Sequence, residues 1–304
     1  MNMSKMKNIN VMGERLMEDL LRPIYQERAS QPDTLGVLII ETDKEIDPTT
    51  DNFDVILLII VRNGEQPWFV KHYEFNGKNA ALHVVDEKQL NYWIDTSSYR
   101  RAVEWVVEGR VVFDRNDYVA NLKEELRVFP ADKRDLKKAI EFAKLIRTHR
   151  ECRDLYDSGH YLDAYTNMMH SLQYLARLAV IEKGFHPEVV VWNQVKRIDP
   201  EVYKLFQELT QSDETLDKRV QLMLLATEMA INKRTHTCAK HLVDIMKDKA
   251  GPWSYGELMV HPEVQPFALD LGAFLDYLVD KEVIAVAQVE TKGKGIFHRQ
   301  YQVK

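Results

Sequence analysis

The feature that most constrains this chain is a run of seven aliphatic residues, Val55 to Val61, that directly follows Asp54. No polar residue interrupts the run, it is rich in β-branched side chains, and it is far too short to cross a membrane. Such a run predicts a β-strand that is buried on both faces. The chain must therefore form a sheet covered on both sides, and Asp54 at its edge is a candidate metal ligand.

Two-metal phosphoryl transfer usually requires a second carboxylate on such a strand. Carboxylates two positions apart point to the same face, so that they can bind the metal ions together. The residue two positions after Asp54 is Ile56, which offers no ligand atom. The sequence therefore predicts an enzyme's fold without the full chemistry of that fold.

Bulk composition narrows the class of protein. The chain has 304 residues, enough for two or three domains, and its net charge of −6 creates no overall field that attracts nucleic acid or anionic membranes. Two cysteines, Cys152 and Cys238, are too few for a disulfide framework and favour a reducing compartment. Neither a membrane span nor a signal peptide is recognisable in the sequence. We expect a cytoplasmic protein with no membrane partner.

Three patterns follow one another along the chain. The first mixes strands and helices: a helix at 10–28, strands at 35–42, 53–61, 68–75 and 80–85, a broken helix at 87–108 and a strand at 110–114. From Asp132 to about Lys249, apolar residues recur at helical spacing with short links, which predicts an antiparallel bundle. After Gly251-Pro252, two helices and a β-hairpin follow, the order found in a winged helix. The predicted fold class is α+β.

This order of parts resembles the nucleotidyltransferase-like proteins of Bacillus and relatives, the YgxA-like family. The residues that carry the resemblance are the Asp54 strand, the segment Gly109–Arg115, the helical middle and the winged-helix tail. The resemblance covers nearly the whole chain. It implies a minimal nucleotidyltransferase domain with the DNA polymerase β-like fold at 1–130, a helical bundle of substrate-binding type at 131–249 and a winged helix-turn-helix domain at 250–304.

The chain departs from the active members of that fold at its metal site. Active members carry Gly-Ser before an Asp-x-Asp or Asp-x-Glu pair, and a third carboxylate on a later strand. Here the preceding strand ends in Glu41-Thr42, Ile56 stands at the second acidic position, and His83 is the polar residue on the later strand. One carboxylate of three makes a poor site for Mg²⁺, which prefers hard oxygen ligands. Asp54 is therefore interpreted as a catalytic remnant, with Mg²⁺ as cofactor only if the site is active.

Other polar groups have simpler interpretations. Asp47 and Asp51 are candidate substitute carboxylates, but acidic residues in loops are usually just solvated. Asp114 and Arg115 fit a turn with a local ion pair better than a contact with a nucleotide or partner. A further His and Cys cluster fits a helix surface better than a metal site, because its members do not share one face. Its members are His236, Cys238 and His241.

The C-terminal tail carries the basic patch of the chain. No acidic residue follows Glu290, and Lys292, Lys294 and Arg299 are candidates for contacts with nucleic-acid phosphates. The helix expected to enter a major groove is acidic, which disfavours reading base edges. Its acidic residues are Asp270, Asp276 and Asp280. The winged helix therefore fits phosphate binding with little sequence preference, or protein contact.

Three functions remain open from the sequence. The first is a non-catalytic or weakly catalytic nucleotidyltransferase-like protein that binds or regulates through a nucleotide, a protein or a nucleic acid. The second is an active metal-dependent transferase that moves a nucleoside monophosphate from a nucleoside triphosphate to a hydroxyl, using Asp54 with unusual partners. The third is a DNA-binding regulator that acts through the winged helix.

Overall fold

The computed structural model describes residues 21–42, 47–75, 77–293 and 295–304, and the chain divides into two compact units, Met1–Val128 and Phe129–Lys304. In the first unit, residues 21–30 form helix α1, and residues 10–20 of the helix predicted at 10–28 lie outside the described residues. The strands are β1 Thr34–Glu41, β2 Val55–Val61, β3 Trp68–Phe75, β4 Lys78–Asp86 and β5 Arg110–Asp114. The remaining helices of this unit are α2 Glu87–Thr96, α3 Arg100–Glu108 and α4 Tyr118–Val128.

The five strands form one mixed sheet in the order β3-β4-β2-β1-β5, in which β2 runs parallel to β4 and the other neighbours are antiparallel. Alternate residues of β2 point to opposite faces. Ile56 and Leu58 pack with residues of α2, α3 and α4, whereas Val55 and Leu57 pack with α1. The prediction of a strand buried on both faces is confirmed. Because β2 is buried on both faces, it holds Asp54, the residue before its first position, at the edge of the sheet.

The helical stretch from 87 to 108 is broken where the sequence predicted a break. The carboxylate of Asp86 caps α2 by accepting a hydrogen bond from the Gln89 N–H at 2.7 Å. Ser97 then adopts a left-handed conformation with φ of 54°, and α3 begins three residues later. The turn brings α3 and its side chains over the sheet face that contains Ile56.

The second unit contains the helical bundle and the winged helix. Its helices are α5 Ala131–Asp157, α6 Tyr161–Glu182, α7 Val191–Ile198, α8 Pro200–Gln211, α9 Leu216–Lys247, α10 Tyr255–Val260 and α11 Leu271–Asp280. Its strands are β6 Trp253–Ser254, β7 Ile284–Glu290 and β8 Phe297–Val303, arranged in the order β6-β8-β7. The predicted α+β class is confirmed, whereas the domain boundaries at 130 and 249 stay predictions.

One hydrophobic cluster runs through the bundle and the winged helix. Phe142 of α5 meets Phe274 of α11 edge to face, with ring centroids 5.8 Å apart. Helix α11 begins at Leu271, a few residues after a short 3₁₀ turn at Gln265–Phe267. Among the described helices, none is long and apolar enough to cross a membrane.

Candidate functional site

Asp54 lies immediately before β2 and is bound to the start of the parallel strand β4. Its backbone N–H donates to the carbonyl of Asn79 at 3.0 Å, and its carboxylate accepts a hydrogen bond from the Asn79 N–H at 2.8 Å. On its other side, the Thr42 N–H donates to the Asp54 carbonyl at 3.3 Å. Asp54 therefore joins the three central strands at one edge of the sheet.

Ile56 and His83 stand where, by the resemblance, active nucleotidyltransferases carry their other two carboxylates. Ile56 points to the same face as Asp54 and has no exposed surface. His83 lies on β4 in register with Leu58 and is buried. Burial, with a smaller effect of His72, lowers the pKa of His83 to about 4. Its imidazole is therefore neutral at physiological pH.

Aromatic rings surround His83. The indole N–H of Trp68 donates to His83 Nδ1 at 3.2 Å, and the Trp105 ring meets the imidazole at a centroid distance of 4.6 Å. Trp93 contacts Trp68 at 5.2 Å and Tyr99 at 4.8 Å. These five side chains, here called the aromatic cluster, cover the sheet face next to Ile56. Within this cluster, the hydrogen bond from Trp68 occupies the lone pair of His83 Nδ1.

The loop that leads to Asp54 is fixed to α3. Arg101 donates through Nε to the Pro48 carbonyl at 2.7 Å, and its Nη2 lies 3.0 Å from an Asp51 carboxylate oxygen. The Trp105 indole donates to the Thr49 carbonyl at 2.8 Å. Both loop acids considered from the sequence thus have partners, since the carboxylate of Asp47 accepts from Thr49 N at 2.9 Å.

The described residues do not offer the ligands of a metal site. No three His, Cys, Asp or Glu side chains of the described ranges lie close enough together to hold an ion. Cys238 is fully buried, and burial raises the pKa of its thiol to about 12. The ring of His241 faces Glu263 instead, at 3.6 Å from a carboxylate oxygen. At the strand edge, Asp54, Ile56 and His83 do not make the hard-oxygen set that Mg²⁺ prefers.

Asp114 and Arg115 have local structural partners. The Asp114 carboxylate accepts from Val119 N at 2.9 Å and so caps the beginning of α4. Arg115 donates to the carbonyls of Thr34 at 2.7 Å and Gln31 at 3.0 Å. The guanidinium thereby connects the end of β5 to the segment that leads into β1.

The wing forms between β7 and β8, as the sequence predicted. Lys292 lies in the turn and is exposed, with no ion-pair partner among the described residues. Arg299 lies on β8, and its Nη2 contacts a carboxylate oxygen of Asp276 at 3.1 Å. The third predicted cation, Lys294, lies outside the described residues. Of the two described cations, Lys292 is free to meet a phosphate, and Arg299 is already paired.

The aspartates expected on the groove-entering helix have partners within the second unit. Asp270 lies just before α11, where it is buried and forms an ion pair with Arg147 of α5. Asp276 of α11 pairs with Arg299 and, at 3.5 Å, with Arg150. Two of the three acidic groups therefore serve contacts inside the protein.

Comparison with known proteins agrees with this architecture. Residues 17–134 match a family described as nucleotidyltransferase-like, 135–234 a YgxA-like substrate binding domain and 240–303 a helix-turn-helix domain. The uncharacterized protein YgxA of Bacillus subtilis (strain 168) is 47% identical over 288 residues, which cover 95% of this chain and 98% of that protein. The chain belongs to the YgxA-like family.

A solved structure supports the same assignment. The crystal structure of a nucleotidyltransferase-like protein from Exiguobacterium sibiricum 255-15 matches with a TM-score of 0.80 and 41% identity. The match covers 94% of this YgxA-like chain and 99% of the other. The resemblance drawn from the sequence is therefore confirmed over nearly the whole chain.

The aromatic cluster and the Arg101 contacts were not recognised in the sequence. One signal was available, because three of the five tryptophans of the chain fall between residues 68 and 105. Tryptophans concentrated in the segment that follows Asp54 indicate aromatic packing around that strand. The spacing of Arg101 from the loop, by contrast, carries no comparable signal.

Proposed function

We propose that this YgxA-like protein is a non-catalytic nucleotidyltransferase homologue that acts by binding. The observation that carries the proposal is which side chains occupy the three positions that hold carboxylates in active nucleotidyltransferases. Asp54 holds the backbone of β4, Ile56 is buried, and His83 is a neutral imidazole inside the aromatic cluster. Two-metal phosphoryl transfer requires carboxylates that converge on the ions. In this proposal the domain keeps the fold and has a binding or regulatory role.

The family descriptions support a role in ligand binding. Residues 135–234 match a substrate binding domain, and no catalytic group on them is needed for such a role. The ligand of the nucleotidyltransferase-like domain would be a nucleotide bound without magnesium, or a protein. Cys152 and Cys238 are free and buried thiols, which is consistent with the cytoplasmic location included in this proposal.

A second function, nucleic-acid binding through the wing, has its own observation. Residues 240–303 match a helix-turn-helix domain, and Lys292 is exposed in a tail without acidic residues after Glu290. A cationic hairpin tip binds backbone phosphates, which gives salt-dependent affinity with little sequence preference. Sequence reading by α11 is disfavoured because Asp276 and Asp280 belong to it.

Calorimetric titration with ATP, GTP, CTP and UTP, each with and without magnesium, tests the main proposal. We expect nucleotides to bind without magnesium or not to bind, because Asp54, Ile56 and His83 do not form a magnesium site. The Asp54→Asn variant should give the same isotherms as the wild type. Binding that requires magnesium and disappears in Asp54→Asn would contradict a degenerate site. A salt-dependent interaction with duplex DNA, measured in parallel, supports the second function.

A further inference from the structure

One face of α11 forms a wall of a cleft inside the second unit. Ala273, Asp276, Tyr277 and Asp280 line the cleft at the i, i+3, i+4 and i+7 spacing of one helix face. In a helix-turn-helix domain, the corresponding helix lies in the major groove of DNA. Here α5 and α9 stand opposite that face, across a cleft of about 630 Å³. A cavity of this size is in the range of small-molecule sites.

Several contacts keep α11 against the bundle. The Tyr277 hydroxyl is 2.7 Å from Thr235 Oγ1 and 3.2 Å from Asn232 Oδ1, both on α9. Asp270 forms its buried ion pair with Arg147 on α5. The opposite face of α11 belongs to the hydrophobic cluster shared with the bundle. A DNA groove cannot receive this face unless these contacts break, whereas a small molecule can enter the cleft.

Part of the charge in the cleft is already matched. Arg153 of α5 pairs with Glu228 of α9 at 2.7 Å. The carboxylate of Asp276 is shared between Arg299 at 3.1 Å and Arg150 at 3.5 Å. The Arg150 side chain is 60% exposed, and this long contact is its ion pair within the described residues. Arg150 therefore lines the cleft with donors that no other described carboxylate binds.

Groups of both signs remain without an ion-pair partner. Among the described residues, no carboxylate oxygen lies within 4.0 Å of Lys281 Nζ. Likewise, no cationic nitrogen of a described residue lies within 4.0 Å of the carboxylates of Asp154 or Asp280. Ile146 and Ile231 border the same cleft but are almost fully buried, so its apolar surface comes from the half-buried Ala273 and Tyr277 ring. A ligand with only a negative charge would meet uncompensated aspartates, and one with only a positive charge would meet Lys281.

We propose that this cleft binds a zwitterionic small molecule of amino-acid size. Its carboxylate would lie toward Lys281 and Arg150, its ammonium toward Asp154 and Asp280, and its apolar part against Ala273 and the Tyr277 ring. The site uses the helix face that a DNA-reading domain presents to a groove, so the winged helix contributes a wall of a binding site. The proposal does not depend on the nucleotidyltransferase-like domain.

Thermal-shift and calorimetric screening of the full chain against the twenty proteinogenic amino acids tests the proposal. For the amino acid that binds best, the N-acetyl derivative removes the ammonium and the amide removes the carboxylate. Each derivative should bind roughly tenfold more weakly, the change that about 1.4 kcal/mol produces. The proposal would be overturned if none of the twenty amino acids bound at millimolar concentration. It would also be overturned if the amino acid, its N-acetyl derivative and its amide bound equally well.

Two variants identify the site. Lys281→Met should reduce the discrimination between the amino acid and its amide, and Asp154→Asn should reduce the discrimination between the amino acid and its N-acetyl form, since Arg150 and Asp280 remain. Lys233→Met, at an exposed position of α9 outside the cleft, is the matched control and should leave all affinities unchanged. Unfolding midpoints establish that each variant folds. Unaltered discrimination in both folded variants would place the binding elsewhere and overturn the proposal.

Discussion

The carboxylate of Asp54 accepts a hydrogen bond from the backbone N–H of Asn79 at 2.8 Å, at the point where β2 and β4 begin to pair. The same two residues are joined by a second bond between backbone groups, at 3.0 Å. A side chain used in this way sets the start of a parallel strand pair. Its position thus has a structural reason that does not depend on metal binding.

Asp54→Ala should lower the free energy of unfolding of the first unit by roughly 0.5–1.5 kcal/mol, because it removes a hydrogen bond to the Asn79 N–H at an exposed position where water can replace the acceptor. Asp54→Asn keeps an acceptor oxygen and should cost less. Urea unfolding followed by tryptophan fluorescence measures both, with Glu65→Ala in an exposed loop as control. Equal stability of Asp54→Ala and the wild type would remove the structural role.

His83 should make the first unit less stable in mild acid. Its pKa is about 6.5 when unfolded and about 4 when folded, so the unfolded state binds the extra proton. The contribution of neutral His83 to the free energy of unfolding is fully present above pH 6.5 and is lost as the pH falls toward 4. It amounts to at most about 3 kcal/mol.

The comparison of wild type with His83→Asn isolates this contribution. Asn offers an oxygen acceptor for the Trp68 indole but does not titrate in this range. Unfolding free energies at about pH 5 and about pH 7.5 should differ less in the variant than in the wild type. An identical pH dependence in both proteins would show that His83 does not titrate as proposed.

Arg115→Ala should destabilise the first unit, because two well-aligned carbonyls of the β1 entrance lose their charged donor. A loss of roughly 1.5–3 kcal/mol is expected for hydrogen bonds to a charged group. Arg127→Ala, at an exposed i, i+3 pair with Glu124, serves as control and should change stability little. If Arg115→Ala retained full stability but lost a ligand, a binding role for Arg115 would replace the structural one.

Neutralising Lys292, Lys294 and Arg299 together should flatten the log–log salt dependence of binding to a mixed-sequence duplex by roughly 2–3 units. Since Arg299 is paired with Asp276, the Lys292/Lys294 double variant should produce most of the effect. Charge removal at Lys196 and Lys204, on α7 and α8, provides the control. No binding by the wild type at low salt, or strong sequence preference, would contradict this mode of contact.

The sequence allowed the elements to be predicted where local pattern decides them. The aliphatic run after Asp54 could pack only as a central strand, and the polar residues around Ser97 interrupted a helix whose apolar spacing was otherwise continuous. Gly251-Pro252 separated the bundle pattern from that of the winged helix. In each case the constraint lies within a few neighbouring residues.

The contacts that define the sites are long-range and could not be read from spacing. Arg147 and Asp270 are 123 residues apart in the chain, and nothing in either segment indicates that they form an ion pair. The sequence showed that the aspartates near α11 disfavour base reading, but not that Asp270 and Asp276 bind arginines inside the unit. His83 was identified as a substituted position, but its neutral state depends on tertiary burial.

The most direct test of the account is the transfer of labelled nucleoside monophosphate from each of the four nucleoside triphosphates to a hydroxyl acceptor, with magnesium or manganese. Wild type and Asp54→Asn should give the same background rate, because Ile56 and His83 do not complete a metal site with Asp54. The measurement should be made on protein whose folding has been verified by its unfolding transition. Metal-dependent turnover by the wild type that Asp54→Asn abolishes would contradict the account.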